Sequence, residues 1–429
     1  MRILFVSNIF PPHVRGGYEL GCERIAEQCR EVGHDVAVAT SAVIGKLEKT
    51  VHNPQLRVEE LFEPVYEYEP DIFDRTILNP VSFSRRQAAF GGTLQANAWA
   101  LARFIREMAP ELIWIFNPLG VGTVGVLEAC LTSHAPCVLH LMDDIDHEVS
   151  IHQSECYLLP RYARVKSSIH AIACSEKMAI ANTRVGEFAS LRIIPNGVDF
   201  PKFPIDMRRD PAAPARFVYF GQVEESKGVL DALRGFRVLL DREPECDATF
   251  DVLGAGSSAF RRQLESEINR MGLRERVSLP GYIARADLMA NLSSYTAAVL
   301  PLRDAEPFGY APVEAGAAGL PVIVTTGPGA AEFFPPGYPL FVRDRQSAGE
   351  IGERLHWCVA NPGATVKLGR HLQSELRRNC DFAEVVFPAY ERAVKSLPPN
   401  ETRYDIRATL AAHQSASLYR YSYRDVTQP

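Results

Sequence analysis

Two glutamates, Glu306 and Glu314, stand eight positions apart in the stretch LPLRDAEPFGYAPVEAGAAGLPVIVT. Between them lie the pair Phe308-Gly309 and Pro312, and the apolar run Val322 to Val324 follows. This order predicts strand, loop, helix, strand, with Pro312 near the first helical position, where its missing N–H costs nothing. Glu306 then occupies a loop at the mouth of the helix, and Glu314 its first turn. A helix N-terminus carries free N–H groups and partial positive charge, which suit phosphate oxygens. Carboxylates beside that seat accept hydrogen bonds from sugar hydroxyls. The chemistry this describes is recognition of a phosphorylated sugar, such as a nucleotide-sugar. The plainer alternative is a surface helix flanked by two acids.

A second candidate phosphate seat lies upstream. The run Arg216 to Gly221 predicts a strand, Gln222 to Ser226 a loop, and Lys227 the start of a helix with Val229, Leu233, Phe236 and Leu240 on one face. GQVEESKG lacks the G-x-x-x-x-G-K-S/T pattern of a Walker loop. Lys227 sits where strand passes into helix, although a lysine there also serves simply as a solvated charge.

The elements that must position these residues alternate. Ile3 to Ser7 reads as a buried strand, followed by a loop carrying Gly16 and Gly17. A helix with Cys22, Ile25, Ala26, Cys29 and Val32 on one face comes next, then a strand at Asp35 to Thr40. Such a βαβ unit implies a parallel sheet. Glycines 16 and 17 let backbone approach a ligand closely or form a turn with positive φ. Residues 50 to 95 show no clean period. Further strands are expected at Leu112 to Phe116 and at Val138 to Leu141, the latter opening into Met142-Asp143-Asp144. Ligands of open α/β sheets bind off the carboxyl ends of strands. Asp143 is therefore a candidate for a sugar or acceptor hydroxyl, with loop capping as the alternative; His140 reads as a hydrogen-bonded core histidine. Asn196-Gly197 suits a tight turn.

At 429 residues the chain accommodates two domains. A net charge of −6 gives no reason to expect a nucleic-acid partner. The nine cysteines contain no C-x-x-C pair, which fits free thiols in a reducing compartment. There is no apolar run of membrane-spanning length, and MRILFVSNIFPP does not look like a signal peptide. A cytoplasmic enzyme is the expectation, with contact at the inner face of a membrane left open. No His/Cys ligand spacing is present, so neither a metal nor another cofactor is expected.

The block from EPFG to EAGAAGLPVIVT resembles the E-x7-E element of retaining glycosyltransferases of family 4, which have the GT-B fold. GQVEESKG is similar to the family's GRLxxEKG, and NGVDFPKF to its NGVDxxxF signature. The resemblance runs from Met1 to about Lys395. It implies an α/β architecture of two Rossmann-like parallel-sheet domains facing across a cleft: 1–203 on the acceptor side, a linker at 204–215, a nucleotide-sugar domain at 216–385, a helix at 386–396 crossing back, and a tail at 397–429 of unassigned role.

The resemblance also implies roles. Lys227 and the backbone at Phe308-Gly309-Tyr310 would take the diphosphate and nearby sugar oxygens, Glu306 the donor-sugar hydroxyls and Glu314 the ribose. Gly16 and Gly17 would face the diphosphate and the acceptor. Gly254 belongs to a GxG turn, and the stretch ending in Tyr282 and Ile283 would meet the base. The implied reaction moves a sugar from a nucleoside-diphosphate-sugar to a hydroxyl acceptor (a sugar, a lipid-linked molecule or a small molecule), with retention of configuration, in polysaccharide or glycoconjugate synthesis. Two departures stand out. Gln222 occupies the position of the family arginine, and a neutral amide cannot supply a charged bidentate fork; the loss is worth ~1.5–3 kcal/mol unless Arg303 or another cation substitutes. Met142 occupies the position of the family histidine. The sequence therefore also admits a weakly active nucleotide-sugar-binding subunit, or an epimerase or phosphorylase on the same fold.

Overall fold

The computed structural model describes residues 1–44, 52–64, 66–70, 76–80, 95–151, 158–200, 213–302, 306–344, 346–401 and 404–405. Arg303, nearly half of the 50–95 region, most of the expected linker and most of the tail lie outside these residues. The chain divides into two compact units, Met1–Ile194 with Tyr390–Pro429, and Pro195–Ala389.

The first unit holds a seven-stranded sheet. Its strands are β1 (Arg2–Ser7), β2 (Asp35–Ser41), β3 (Arg57–Phe62), β6 (Leu112–Asn117), β7 (Cys137–Leu141), β8 (His170–Ala173) and β9 (Ser190–Ile193), in the order β3-β2-β1-β6-β7-β8-β9. Every neighbouring pair is parallel. An antiparallel pair, β4 (Tyr66–Pro70) and β5 (Thr76–Pro80), stands apart from it. Burial on both faces explains why β1, β6 and β7 read as continuous apolar runs instead of alternating. The helix Gly17–Glu31 packs Cys22, Ile25, Ala26 and Cys29 inward, while Val32 lies beyond its end and is exposed.

The second unit holds six strands: β10 (Arg216–Phe220), β11 (Thr249–Leu253), β12 (Val277–Gly281), β13 (Ala297–Leu300), β14 (Val322–Thr325) and β15 (Phe341–Val342). They pair in parallel in the order β12-β11-β10-β13-β14-β15. The reversal of direction in both orders places the loops after β1 and β6, and after β10 and β13, at the positions where such sheets hold ligands. These are two Rossmann-like halves of a GT-B fold.

Some local expectations shift. The helix after Glu306 runs Tyr310–Ala317, so Pro312 is its third residue and Glu314 its fifth, beyond the first turn. Proline is tolerated there because the first four helical N–H groups have no intrahelical acceptor. Lys227 ends a short 3-10 turn, and the α-helix begins only at Val229. Gly16 is extended, with φ −167°, so no positive-φ turn accounts for it. Asn196-Gly197 forms no turn either. A Cβ on Gly197 would lie 2.8 Å from the Phe382 backbone, so close packing requires the glycine.

Candidate active site

In the second unit, three loops interlock at the carboxyl ends of β10, β11 and β12. The Gly221 N–H donates to the Leu253 carbonyl (3.0 Å), Val223 N–H to Ala255 O (2.8 Å), and Gly254 N–H to Gly281 O (2.8 Å). Gly254 has φ +149°, and a Cβ there would sit 1.8 Å from the Gly221 oxygen. The GxG turn thus fixes the loop that carries Gln222. The buried Tyr219 hydroxyl donates to the Gln222 carbonyl at 2.7 Å, which holds that loop from beneath. The Gln222 side chain itself is exposed.

Lys227 reaches its place through Gly228, which is left-handed at φ +78° and packed so tightly that a Cβ would lie 2.2 Å from the Pro301 oxygen. This contact ties the lysine turn to the end of β13, from which the loop to Glu306 departs. The result is a direct pair: Lys227 Nζ donates to Glu306 Oε2 at 2.5 Å, with both side chains partly exposed. Phe308 is buried against Tyr310 and Phe333, and its carbonyl accepts from Ala330 N–H, so the backbone leading into Gly309 is held by packing and a hydrogen bond. Glu314 is buried to 8% exposure, and its carboxylate is held by the Arg285 guanidinium. Sequence reasoning did not single out Arg285. Its only signal is its place three residues past Tyr282, where a cation follows the expected base-binding stretch. Tyr282 is itself 61% exposed at the end of β12, with Ile283 beside it.

In the first unit, the start of the helix Gly17–Glu31 and the end of β7 meet through one side chain. The Tyr18 hydroxyl accepts from Met142 N–H (2.8 Å) and donates to His140 O (3.3 Å). Burial, and then the neighbouring charge of Asp143, push the Tyr18 phenol up, so it stays protonated. Gly16 caps the helix, and its N–H and that of Arg15 both donate to the buried Glu19 carboxylate, at 2.8 and 3.1 Å. Those two donors are therefore taken, although a Cβ on Gly16 would meet nothing within 4 Å. Met142 is buried. His140 stacks on Phe116 at 4.6 Å and meets Trp114 and Tyr390, which makes it part of the aromatic core. Asp143 is half-buried, and its carbonyl accepts from the Asn182 side chain at 2.9 Å.

Among the described residues no group of three or more His, Cys, Asp or Glu side chains could hold a metal ion. No described helix is long and apolar enough to cross a membrane.

Comparison with known proteins agrees with this geometry. Residues 214–361 match the family model for group 1 glycosyl transferases. The glycogen synthase of Mycobacterium tuberculosis is 26% identical over 414 residues, covering 90% of this chain and 92% of that protein. Among solved structures, the HepE protein of Anabaena in complex with UDP and glucose superposes with a TM-score of 0.64 at 20% identity, covering 92% of this chain and 99% of that one. Sucrose-phosphate synthase of Thermosynechococcus elongatus gives 0.69 at 17% identity, covering 92% and 98%. With two parallel Rossmann-like sheets and a segment at 214–361 that spans Lys227, Glu306 and Glu314 and is similar to group 1 glycosyl transferases, the chain is a glycosyltransferase of GT-B fold.

Proposed function

We propose that this protein moves a hexosyl unit from a nucleoside-diphosphate-sugar to a hydroxyl acceptor with retention of configuration and without a bound metal, in the assembly of a polysaccharide or glycoconjugate. The observation that carries the reading is the Lys227–Glu306 pair at 2.5 Å, set beside the helix that bears Glu314. An ammonium group at a loop-to-helix junction is suited to a diphosphate leaving group, whose charge grows as the sugar departs. As phosphate oxygens take the lysine, Glu306 is released to accept hydrogen bonds from the sugar. The pair thus converts from an internal contact into two ligand contacts. Glu314 keeps a second carboxylate oxygen for a ribose hydroxyl while Arg285 fixes its direction. Asp143, on its turn off β7, is assigned to a sugar or acceptor hydroxyl. Retention follows from a departing phosphate that assists deprotonation of the acceptor on the same face.

A second reading, a nucleotide-sugar-binding subunit with little turnover, is favoured by Gln222 and Met142 standing where the family has arginine and histidine. One experiment separates them. The purified chain is incubated with UDP-, GDP- and dTDP-sugars, and melting temperature and nucleoside-diphosphate release are measured with and without EDTA. A bound donor raises the melting temperature. Release that survives EDTA and disappears in Lys227→Ala supports the transferase; NMR of the product then reads the anomeric configuration. Stabilisation without release favours the second reading. No stabilisation by any donor overturns both.

A further inference from the structure

The interior of the first unit contains a fully buried ion pair that the reading above does not use. Lys166, the last residue of the helix Leu158–Lys166, places Nζ 2.8 and 2.9 Å from the two carboxylate oxygens of Asp146, and both side chains have no exposed surface. The same Nζ donates to the Asn182 carbonyl at 2.6 Å. Val185 N–H donates to Asp146 at 2.7 Å, and the rings of Phe188 and Tyr162 flank the ammonium at 4.5 and 5.3 Å. Asn182 is also fully buried. Its side-chain oxygen accepts from Ile145 N–H at 2.9 Å, and its amide nitrogen donates to the Asp143 carbonyl at 2.9 Å and to Met178 O at 3.0 Å.

Such a pair is a poor device for stability. Replacing a buried ion pair by apolar residues of similar volume is often neutral or stabilising, because desolvation offsets the attraction. What this network does uniquely is geometric: its bonds converge on Asp143–Ile145. Asn182 brackets that turn from the carboxyl side, and Tyr18 holds Met142 from the amino side. The backbone under Asp143 is thereby pinned on both flanks by side chains that are themselves locked.

We propose that Asn182, braced by the Asp146–Lys166 pair, is a positioning residue for Asp143 in the transfer reaction. The inference rests on the reading of Asp143 as a group near the reacting sugar. A small misplacement of a reacting group can cost up to about a hundredfold in rate, so a loss of about tenfold in kcat is expected when the bracket is removed.

The test is a double-mutant cycle on the full chain, using the sugar donor established by the release assay. Asn182→Ala should lower kcat about tenfold while leaving donor KM within about twofold, since Lys227, Glu306 and Glu314 are untouched. In an Asp143→Ala background, Asn182→Ala should cause no further loss. A second variant guards against misfolding: Lys166→Met with Asp146→Asn removes both charges, keeps an oxygen for Val185 N–H, and should show the same kcat loss and the same masking by Asp143→Ala. If Asp143→Ala is impaired but the Asn182 effect persists undiminished on top of it, or if neither bracket variant lowers kcat, the positioning role is wrong while the assignment of Asp143 stands. If Asp143→Ala turns over like the wild type, the assignment of Asp143 fails and the positioning role with it.

Discussion

The ammonium of Lys227 and the carboxylate of Glu306 neutralise one another across 2.5 Å, although 79 residues separate them in the chain. A donor must therefore break this contact to use either group. Lys227→Ala should lower kcat by about a hundredfold, the scale of one lost oxyanion-type donor, and change donor KM much less. Steady-state kinetics with a folded variant decides this; near-normal kcat would remove the lysine from the leaving-group site.

Glu306→Gln leads to a different expectation. The lysine no longer has a carboxylate to leave, so a nucleoside diphosphate without sugar should bind a few-fold more tightly than to the wild type. Transfer should nevertheless fall by about a hundredfold, because an amide accepts sugar hydroxyls less strongly than a carboxylate. Isothermal titration with UDP and GDP, set beside turnover, checks both halves. Weaker diphosphate binding would mean that Glu306 does not compete for Lys227.

Arg285 offers a prediction on the nucleotide side. Its guanidinium is partly exposed and holds the Glu314 carboxylate. Arg285→Ala leaves the acid without its orienting partner, so donor KM should rise about tenfold, one charged hydrogen bond's worth, with kcat little changed. An unaltered KM would show that Glu314 needs no such brace.

Much of the fold is legible in the sequence. The parallel strands announced themselves as apolar runs bounded by glycine and proline, and the Glu306–Glu314 spacing marked the loop and helix after β13 as the candidate site. What escaped was tertiary. The helices expected to start at Lys227 and near Pro312 start two residues away, at Val229 and Tyr310, because Gly228 and Gly309, both at positive φ, decide where the turn begins. Arg285, Tyr18 and Asn182 carry no local signature, since each acts on a residue 29 to 124 positions away. Asp146 and Lys166 lie 20 positions apart with nothing in the sequence to pair them, and only the fold brings them together and buries them.

Glu19 gives a prediction on stability. Burial raises its carboxyl above the ordinary value, although the N–H groups of Gly16 and Arg15 partly offset that. A group whose folded pKa lies above its unfolded pKa contributes stability when protonated, and that contribution is lost as pH rises through the folded pKa. Ionised Glu19 is thus a burden at neutral pH and a smaller one in acid. Glu19→Gln keeps an oxygen for both N–H groups and carries no charge. It should melt at a higher temperature than the wild type at pH 7, and the difference should shrink as acidification protonates Glu19. Thermal melts at several pH values read this directly. A variant that melts lower at pH 7 would show that the charge–dipole attraction at this helix end outweighs the cost of burying the carboxylate.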